Sequence, residues 1–472
     1  MIFSPHNQRP SIADVFLNLL LLILITGCRI SGQTNQAQPS EANRPNVVVI
    51  MADDLGYGDI GPFGGWVKTP HLAKLAQQGV RLTDFHSNGP VCSPTRAALM
   101  TGRYQQRAGI PGVVVAANQA RTHNDGMQPS EYTFAEAMSD AGYATGMFGK
   151  WHLGYYRPYN PIHHGFDRFR GFVSGNIDYF SKVDQGGNYD WWMGDQLINE
   201  QGYVPHLLSG HATEFIRDHA GDPFFLYVAH GVPHYPYLGP EDTGFRVPGQ
   251  GRKALDDDQK RKKRAYREMV KALDRSVGRI MKTLKQEGVG DRTFIFFCSD
   301  NGATGPGSNG ALRSSKGHVF EGGHRVPAIA RYPGHIDAGS TTDETVMSMD
   351  VMPTAVELAG ATLPEDHRLD GIDVMPALTG GDLPERDLIW SYQNRAAIRR
   401  GPWKLVLRED DINQSVLFHL ERDRDESNDL SDKHPDRVKQ LRKAFKALHS
   451  DATRSAPHQP VGQQPPSGAL KK

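Results

Sequence analysis

The sequence predicts an α/β sandwich: a large, mostly parallel β-sheet flanked by helices, with a small antiparallel-sheet subdomain at the C-terminal end. Three observations predict it. Residues 46–51 (NVVVIM), 224–229 (FFLYVA) and 293–298 (TFIFFC) are unbroken apolar runs. They lack the in–out alternation of a half-solvated strand, so both faces must be covered, as in a parallel sheet. Between the last two runs, Tyr266, Met269, Val270, Leu273, Val277, Ile280, Met281 and Leu284 recur at helical spacing, which marks one buried stripe on a long helix. After about residue 385 the texture changes to short runs at 388–391, 396–399, 404–407 and 416–420, separated by turn or charged residues. That is the pattern of a small antiparallel sheet.

The elements follow in chain order. Residues 15–25 (VFLNLLLLILI) form an apolar run broken only by Asn18. A bilayer span takes about 20 residues, so the run has instead the length of a signal-peptide core. The Ile25-Thr26-Gly27-Cys28 that follows resembles a bacterial lipobox, in which the cysteine is lipidated and becomes the new N-terminus. An ordinary cleaved signal and a buried helix are the alternatives. Residues 29–43 are polar and read as a tether. The expected layout is a leader over 1–28, the tether over 29–43, a large catalytic domain over 44–385, a small α+β subdomain over 386–450 and a disordered tail over 451–472, where Pro, Gln and Ser dominate. The 472 residues exceed what one core usually organises. Gly288 and Gly290 end the long helix, and residues 435–449 read as another helix.

Lys+Arg and Asp+Glu both number 53, so formal charge is zero. Nothing global points to nucleic acid or an anionic membrane, and any membrane association is expected through the lipid anchor alone. The charged stretch 256–264 (DDDQKRKKR) reads as the solvated start of the long helix. Three cysteines are present, Cys28, Cys92 and Cys298. Cys298 lies inside an apolar run, where a buried free thiol is more common than a Cys92–Cys298 bridge.

Candidate chemistry stands just past the expected strands. Asp53-Asp54 follows the first run by one residue, and Asp300-Asn301 follows the third by one residue. In open α/β sheets, ligands bind beyond the carboxyl ends of strands. If these strands are neighbours, three carboxylates and one amide oxygen converge. Such a set needs a cation, and all-oxygen ligation suits calcium before magnesium. Ordinary turn or cap roles are the alternative for Asp and Asn here. In Cys92-Ser93-Pro94-Thr95-Arg96, Ser93 is a good N-cap and Pro94 suits the first helical position. Cys92 then lies just before a helix N-terminus that favours anions, with Arg96 one turn on. A bare cysteine there would have a lowered pKa; an inert loop cysteine is the alternative. Residues 142–152 (GYATGMFGKWH) suggest another strand, with Lys150 and His152 past its end and facing one side. His234 and Lys316 sit on Pro- or Gly-rich loops, and each alone is a weak signal.

Together these motifs resemble the formylglycine-dependent sulfatases. CSPTR at 92–96 matches the Cys-x-Pro-x-Arg signature, and GYATGMFGKWHLG matches the second signature. The paired Asp53-Asp54, the Ser-Asp-Asn-Gly at 299–302 and the Lys-Gly…Glu-Gly-Gly at 316–323 follow in the family's order. The resemblance runs from about Arg44 to His449 and is nearest the arylsulfatase and N-acetylgalactosamine-6-sulfatase branch. It implies the alkaline-phosphatase-like version of the sandwich. It further implies that a maturation enzyme oxidises Cys92 to formylglycine, whose hydrate attacks sulfur, and that Asp53, Asp54, Asp300, Asn301 and the modified Cys92 hold one calcium ion. His234 and Lys316 would contact sulfate and protonate the leaving oxygen, His152 would deprotonate the second hydroxyl, and Arg96 and Lys150 would hold the diol.

The expected substrate is an aryl sulfate or a sulfated carbohydrate, and the expected location is the periplasm, the outer membrane as a lipoprotein, or the medium. The rival is a phosphate or phosphonate ester hydrolase of the same fold. His86, Asn88, Asp178, His318, His324 and Arg325 lie near the motifs and are candidates to line a sugar pocket, with loop packing as the alternative.

Overall fold

The computed structural model describes Met1 and residues 44–114, 126–250, 258–408, 411 and 413–454. The leader, Cys28, the tether and the end of the tail beyond Arg454 lie outside the described residues. The unit Ser40–Lys472 is the one considered below. Its strands in chain order are β1 (Asn46–Ala52), β2 (Val80–Leu82), β3 (Phe85–His86), β4 (Ala144–Lys150), β5 (Arg168–Phe172), β6 (Trp192–Met193), β7 (Gln196–Leu197), β8 (Phe224–Ala229), β9 (Thr293–Ser299), β10 (Ala328–Arg331), β11 (Ser340–Thr342) and β12 (Val346–Met347). The C-terminal strands are β13 (Asp387–Tyr392), β14 (Arg395–Arg400), β15 (Trp403–Arg408) and β16 (Ser415–His419).

Ten strands form one sheet in the order β11-β2-β10-β9-β1-β8-β4-β5-β6-β7. β1 lies between β9 and β8, parallel to both, with Val49 level with Phe296 and Tyr227. All residues of β1, β8 and β9 are buried, which is why these runs show no alternation in sequence. The alternation is instead between two cores. Val47, Val49 and Met51 join the core formed with the helices Cys92–Thr101, Phe134–Asp140 and Val351–Ala359. Val48, Ile50 and Ala52 join the core formed with Pro70–Gln77, Val204–Asp218 and Gln259–Gln286. The long helix carries the expected stripe, with Tyr266, Met269, Val270, Leu273, Val277, Ile280 and Leu284 buried. β10, β6 and β7 run antiparallel to their neighbours, so the sheet is mixed at both flanks.

β13 to β16 form a four-stranded antiparallel meander, covered by the helix Pro435–Arg454 through Val438, Leu441 and Phe445. That helix continues past His449 because Asp451 is held by Arg107 and Arg368 at 2.9 Å each, so residues 451–454 are ordered helix rather than tail.

A buried charge network joins the meander to the two-stranded parallel sheet of β3 and β12 and to the helix Glu321–His324. Lys404 of β15 contacts Glu321 at 2.8 Å and Glu426 at 2.9 Å. Arg399 of β14 and Arg325 both reach Asp84. His86 and His324 face each other through Nδ1 atoms 2.9 Å apart. His86 Nε2 lies 2.9 Å from Asp84, and Lys404 lies 3.1 Å from His324 Nε2. The two histidines and Glu321 are close enough to hold a metal. Lys404, Arg325 and Arg399 already neutralise the carboxylates there, so the cluster is read as an internal salt-bridge network.

Candidate active site and metal centre

The carboxyl ends of β1, β9, β4 and β8 converge with the N-terminus of the helix Cys92–Thr101. Because β1 and β9 are in register, with Ala52 level with Ser299, Asp53-Asp54 and Asp300-Asn301 emerge side by side. The Asp54 N–H donates to Asp300 Oδ1 at 3.2 Å, and Asn301 Nδ2 donates to Asp54 Oδ1 at 2.7 Å. Ser299 Oγ accepts from Leu55 N–H at 3.0 Å and donates to the Asn301 carbonyl at 3.0 Å, fixing both turns. Asp54 lies at φ 62°, a left-handed turn that reverses the chain directly after β1.

Cys92 is the first residue of its helix and is 2% exposed. Ser93 is not the N-cap; its Oγ accepts from Val114 N–H instead, and Val91 occupies the cap position without a side-chain bond. The thiol lies 3.4 Å from Asp53 Oδ1 and 3.3 Å from Lys316 Nζ.

Lys150 is the last residue of β4 rather than past its end, and its Nζ reaches Asp53 Oδ2 at 2.7 Å. Gly149 makes this possible. It sits at φ 124°, and a Cβ there would stand 1.9 Å from the Ala229 carbonyl. β4 therefore stays against β8 up to the site, and only glycine permits it. His152 adopts φ 58°, so it does not simply repeat the direction of Lys150. Its Nε2–H donates to the Val114 carbonyl at 2.7 Å, leaving Nδ1 buried without a partner among the described residues. Arg96 spans Asp300 and the Lys150 carbonyl. Lys316 contacts Asp54 Oδ1 at 2.6 Å, and His234 Nε2 lies 3.6 Å from Asp54 Oδ2. His234 Nδ1–H donates to the Tyr235 carbonyl at 2.6 Å, which turns Nε2 inward. Sequence gives no sign of Tyr179, whose hydroxyl donates to the carbonyls of Gly231 and His234 and so holds the His234 loop. The partners are too far apart in the chain for any local pattern.

The charges explain themselves physically. Burial pushes Asp53 up to about 7; Lys150 and Arg96 pull the other way, and Asp300 and Asp54 add to the rise. Burial also opposes ionisation of Asp54, yet Lys316, His234 and Lys150 outweigh it and hold that carboxyl well below the usual range. Burial lowers both imidazoles, His234 to about 3 and His152 well below its ordinary value, with the nearby cations reinforcing it. The Cys92 thiol is pushed up to about 12 by burial, so an activated thiolate, expected from the helix terminus alone, is not what this site holds. Lys150 and Lys316 favour the thiolate, but desolvation and two carboxylates win. Cys92 and Cys298 are both free.

A cation fits this donor set. Asp53, Asp54, Cys92 and His234 each offer an atom within 4.8 Å of the others, and Asn301 Oδ1 is buried with no partner among the described residues. Asp300 is nearby but turned toward Arg96. Hard oxygen donors of net negative charge suit a divalent ion.

The suggested sugar-pocket residues fare differently. His86, Asn88, Asp178, His324 and Arg325 are all buried. Asn88 accepts from Ser348 and Met349, and Asp178 accepts four backbone N–H groups. These contacts pack and brace loops. His318, by contrast, is only half-buried and lies beside Lys316.

The fold and this constellation define a hydrolase of the sulfatase type. The Sulfatase family model matches residues 45–361, and the model for the N-sulphoglucosamine sulphohydrolase C-terminal region matches residues 314–451. Rat N-acetylgalactosamine-6-sulfatase is 35% identical over 388 residues, covering 77% of this chain and 71% of its own. Bovine arylsulfatase A is 37% identical over 407 residues, covering 77% and 75%. The crystal structure of Ps i-CgsB in complex with k-i-k-neocarrahexaose superposes with a TM-score of 0.77 at 29% identity, covering 88% of this chain and 95% of that one. The chain belongs to the sulfatase family, and it is a sulfuric ester hydrolase.

Proposed function

We propose that the protein hydrolyses sulfate monoesters of sulfated glycans, using formylglycine derived from Cys92 and one calcium ion. The observation that carries this is the position of Cys92. It stands at a helix N-terminus, within 3.4 Å of the acidic cluster and 3.3 Å of Lys316, so nucleophile, ion site and cations share one buried point. Formylglycine and a divalent metal are general to the family. When bound and formed, the metal supplies Lewis acidity and the hydrated aldehyde supplies the attacking hydroxyl. Asp53, Asp54, Asp300 and Asn301 would hold the ion with the modified Cys92.

The chain's own side chains do the rest. Lys150, Lys316 and Arg96 place fixed positive charge where a sulfuryl group gains negative charge, with no reorganisation at the moment of reaction. His234 turns Nε2 toward the site; burial keeps the ring neutral with its proton on Nδ1, and the negative charge of a bound sulfate ester would favour the imidazolium form, whose Nε2–H protonates the leaving oxygen. His152, with Nε2 committed to Val114, keeps Nδ1 free to accept the proton that accompanies sulfate release. The k-i-k-neocarrahexaose bound in Ps i-CgsB and the N-acetylgalactosamine in the relatives' name support a glycan substrate.

Export with lipid attachment at Cys28 completes the proposal and rests on the leader sequence. Among the described residues no helix is long and apolar enough to cross a membrane. Mass spectrometry of the peptide around residue 92, from cells containing a competent maturation enzyme, is expected to show aldehyde in place of thiol. Cys92→Ala is expected to abolish sulfate release from an aryl sulfate while leaving the fold intact. Unmodified thiol in fully active protein would end the proposal, and faster release from the matched phosphate ester would transfer it to phosphoester chemistry.

A further inference from the structure

A second concave site lies at the opposite edge of the sheet. Asp300 follows the carboxyl end of β9, whereas Gly290, Asp291 and Ile295 at the start of β9 border a cavity of about 590 Å³. Strand rise puts the two on the order of 20 Å apart. Lys74, Lys282, Lys285 and Arg331 surround the cavity, and Leu284 and Ile295 contribute apolar floor. The single carboxylate lining it, Asp291, has a side chain 96% exposed and meets Arg331 only at 3.8 Å. Lys74, Lys282 and Lys285 make no ion pair with a described residue, and Arg331 Nε is buried without a partner there.

The concentration of charge is local. The long helix carries basic residues at 260–264, 267, 271, 275, 279, 282 and 285 but acidic ones only at 268 and 274, in a chain whose formal charge is zero. Lys74 and Lys285 lie in the last turns of their helices, where a cation complements the helix dipole. That accounts for two of the four charges and not for their convergence, with Lys282 and Arg331, on one cavity. Gly278 shapes it further: a Cβ there would stand 2.5 Å from the His71 ring, so the two helices close against each other below the cations.

We propose that this groove binds a sulfated saccharide chain at a site separate from the catalytic centre, a proposal that rests on the glycan substrate argued above. Cations around a concave, partly apolar floor raise the local concentration of an anion and offer the sugar's C–H face a dry surface. No Phe, Tyr or Trp lines the cavity, so the stacking platform that single-stranded nucleic acid uses is missing. A second foothold holds a polymer near the enzyme between turnovers and does nothing for a small ester that cannot occupy both places.

The test compares Lys74→Ala/Lys282→Ala/Lys285→Ala with a charge-matched control, Lys439→Ala/Lys443→Ala/Lys446→Ala on the C-terminal helix. On an aryl sulfate the groove variant is expected to match the wild type in kcat and KM. On a polymeric sulfated galactan its KM is expected to rise about ten-fold at unchanged kcat, the difference shrinking in high salt, while the control does not move. Binding of the same galactan to full-length Cys92→Ala protein, with and without the groove substitutions, reads the groove without turnover, so a wrong catalytic substrate and an inert groove give different results. Equal shifts in groove variant and control, no loss of binding, or equally strong binding of desulfated galactan or a DNA oligonucleotide would each overturn the assignment.

Discussion

Arg96 grips Asp300 through two guanidinium nitrogens, Nε at 3.2 Å and Nη2 at 2.8 Å. Its third nitrogen donates to the Lys150 carbonyl at 2.9 Å. One planar group thus fixes the end of β4 against the turn after β9, and both partners are almost wholly buried.

Lysine cannot reproduce that fork. Arg96→Lys is expected to lower kcat/KM for an aryl sulfate by about 10² or more, the scale of losing one fixed donor at a developing charge. Arg96→Ala also strands Asp300, and urea unfolding is expected to show a loss of about 3–5 kcal/mol. Unchanged stability of the alanine variant would mean that Asp300 finds another counter-charge.

His234 is aimed by its Nδ1 bond to Tyr235, so its role can be separated from binding. His234→Ala is expected to slow esters with poor leaving groups more than activated aryl sulfates. A plot of rate against leaving-group pKa reads this directly; parallel lines for variant and wild type would remove the acid role.

The ion site gives a stability prediction. Calcium at about a hundred times its dissociation constant is expected to add about 2.7 kcal/mol, measured as a rise in thermal midpoint over EDTA-treated protein. Magnesium at the same concentration is expected to give a smaller rise, because it demands tighter octahedral geometry. The absence of a rise with any divalent ion would contradict the assignment of the acidic cluster.

Acid stability is expected to depend on the network beside the meander. Burial disfavours the Asp84 carboxylate, but Arg399 and Arg325 outweigh it and hold the group well below its ordinary value. A depressed folded-state pKa means that its stabilisation is fully present above the unfolded value, about 3.9, and is lost as pH falls through the folded one. Asp84→Asn should therefore lower stability near neutrality and flatten its decline below about pH 4, checked by denaturant titrations at a series of pH values. An undiminished slope would locate the acid sensitivity elsewhere.

Much of this was legible in sequence because it is written locally. The runs that became β1, β8 and β9 are apolar on both faces, and the stripe from Tyr266 to Leu284 has the helical period, so both signals survive without partners. The acidic pairs are written locally too, because Asp53-Asp54 and Asp300-Asn301 directly follow the ends of β1 and β9. What sequence did not supply are the relations between distant segments. Burial raises the Cys92 pKa, and the charges that act on it, Lys150, Lys316, Asp300 and Asp53, come from distant parts of the chain. His86 and Arg325 read in sequence as candidates for a sugar pocket, and the structure instead gathers both on Asp84 together with Arg399 of the meander. Asp451, in the last turn described of the final helix, is held by Arg107, far away in the chain. The cationic groove is likewise invisible in the run 260–285 alone, since Lys74 and Arg331 complete it from elsewhere.

The central place of β1 has a consequence for biosynthesis. Asn46 meets Phe224 across 178 residues and Thr293 across 247. The first of the described strands to leave the ribosome therefore waits for both of its neighbours, exposing unpaired backbone and a wholly apolar surface meanwhile. Nascent chains stopped short of residue 293 should be the aggregation-prone species, and holdase chaperones should engage this protein early in translation.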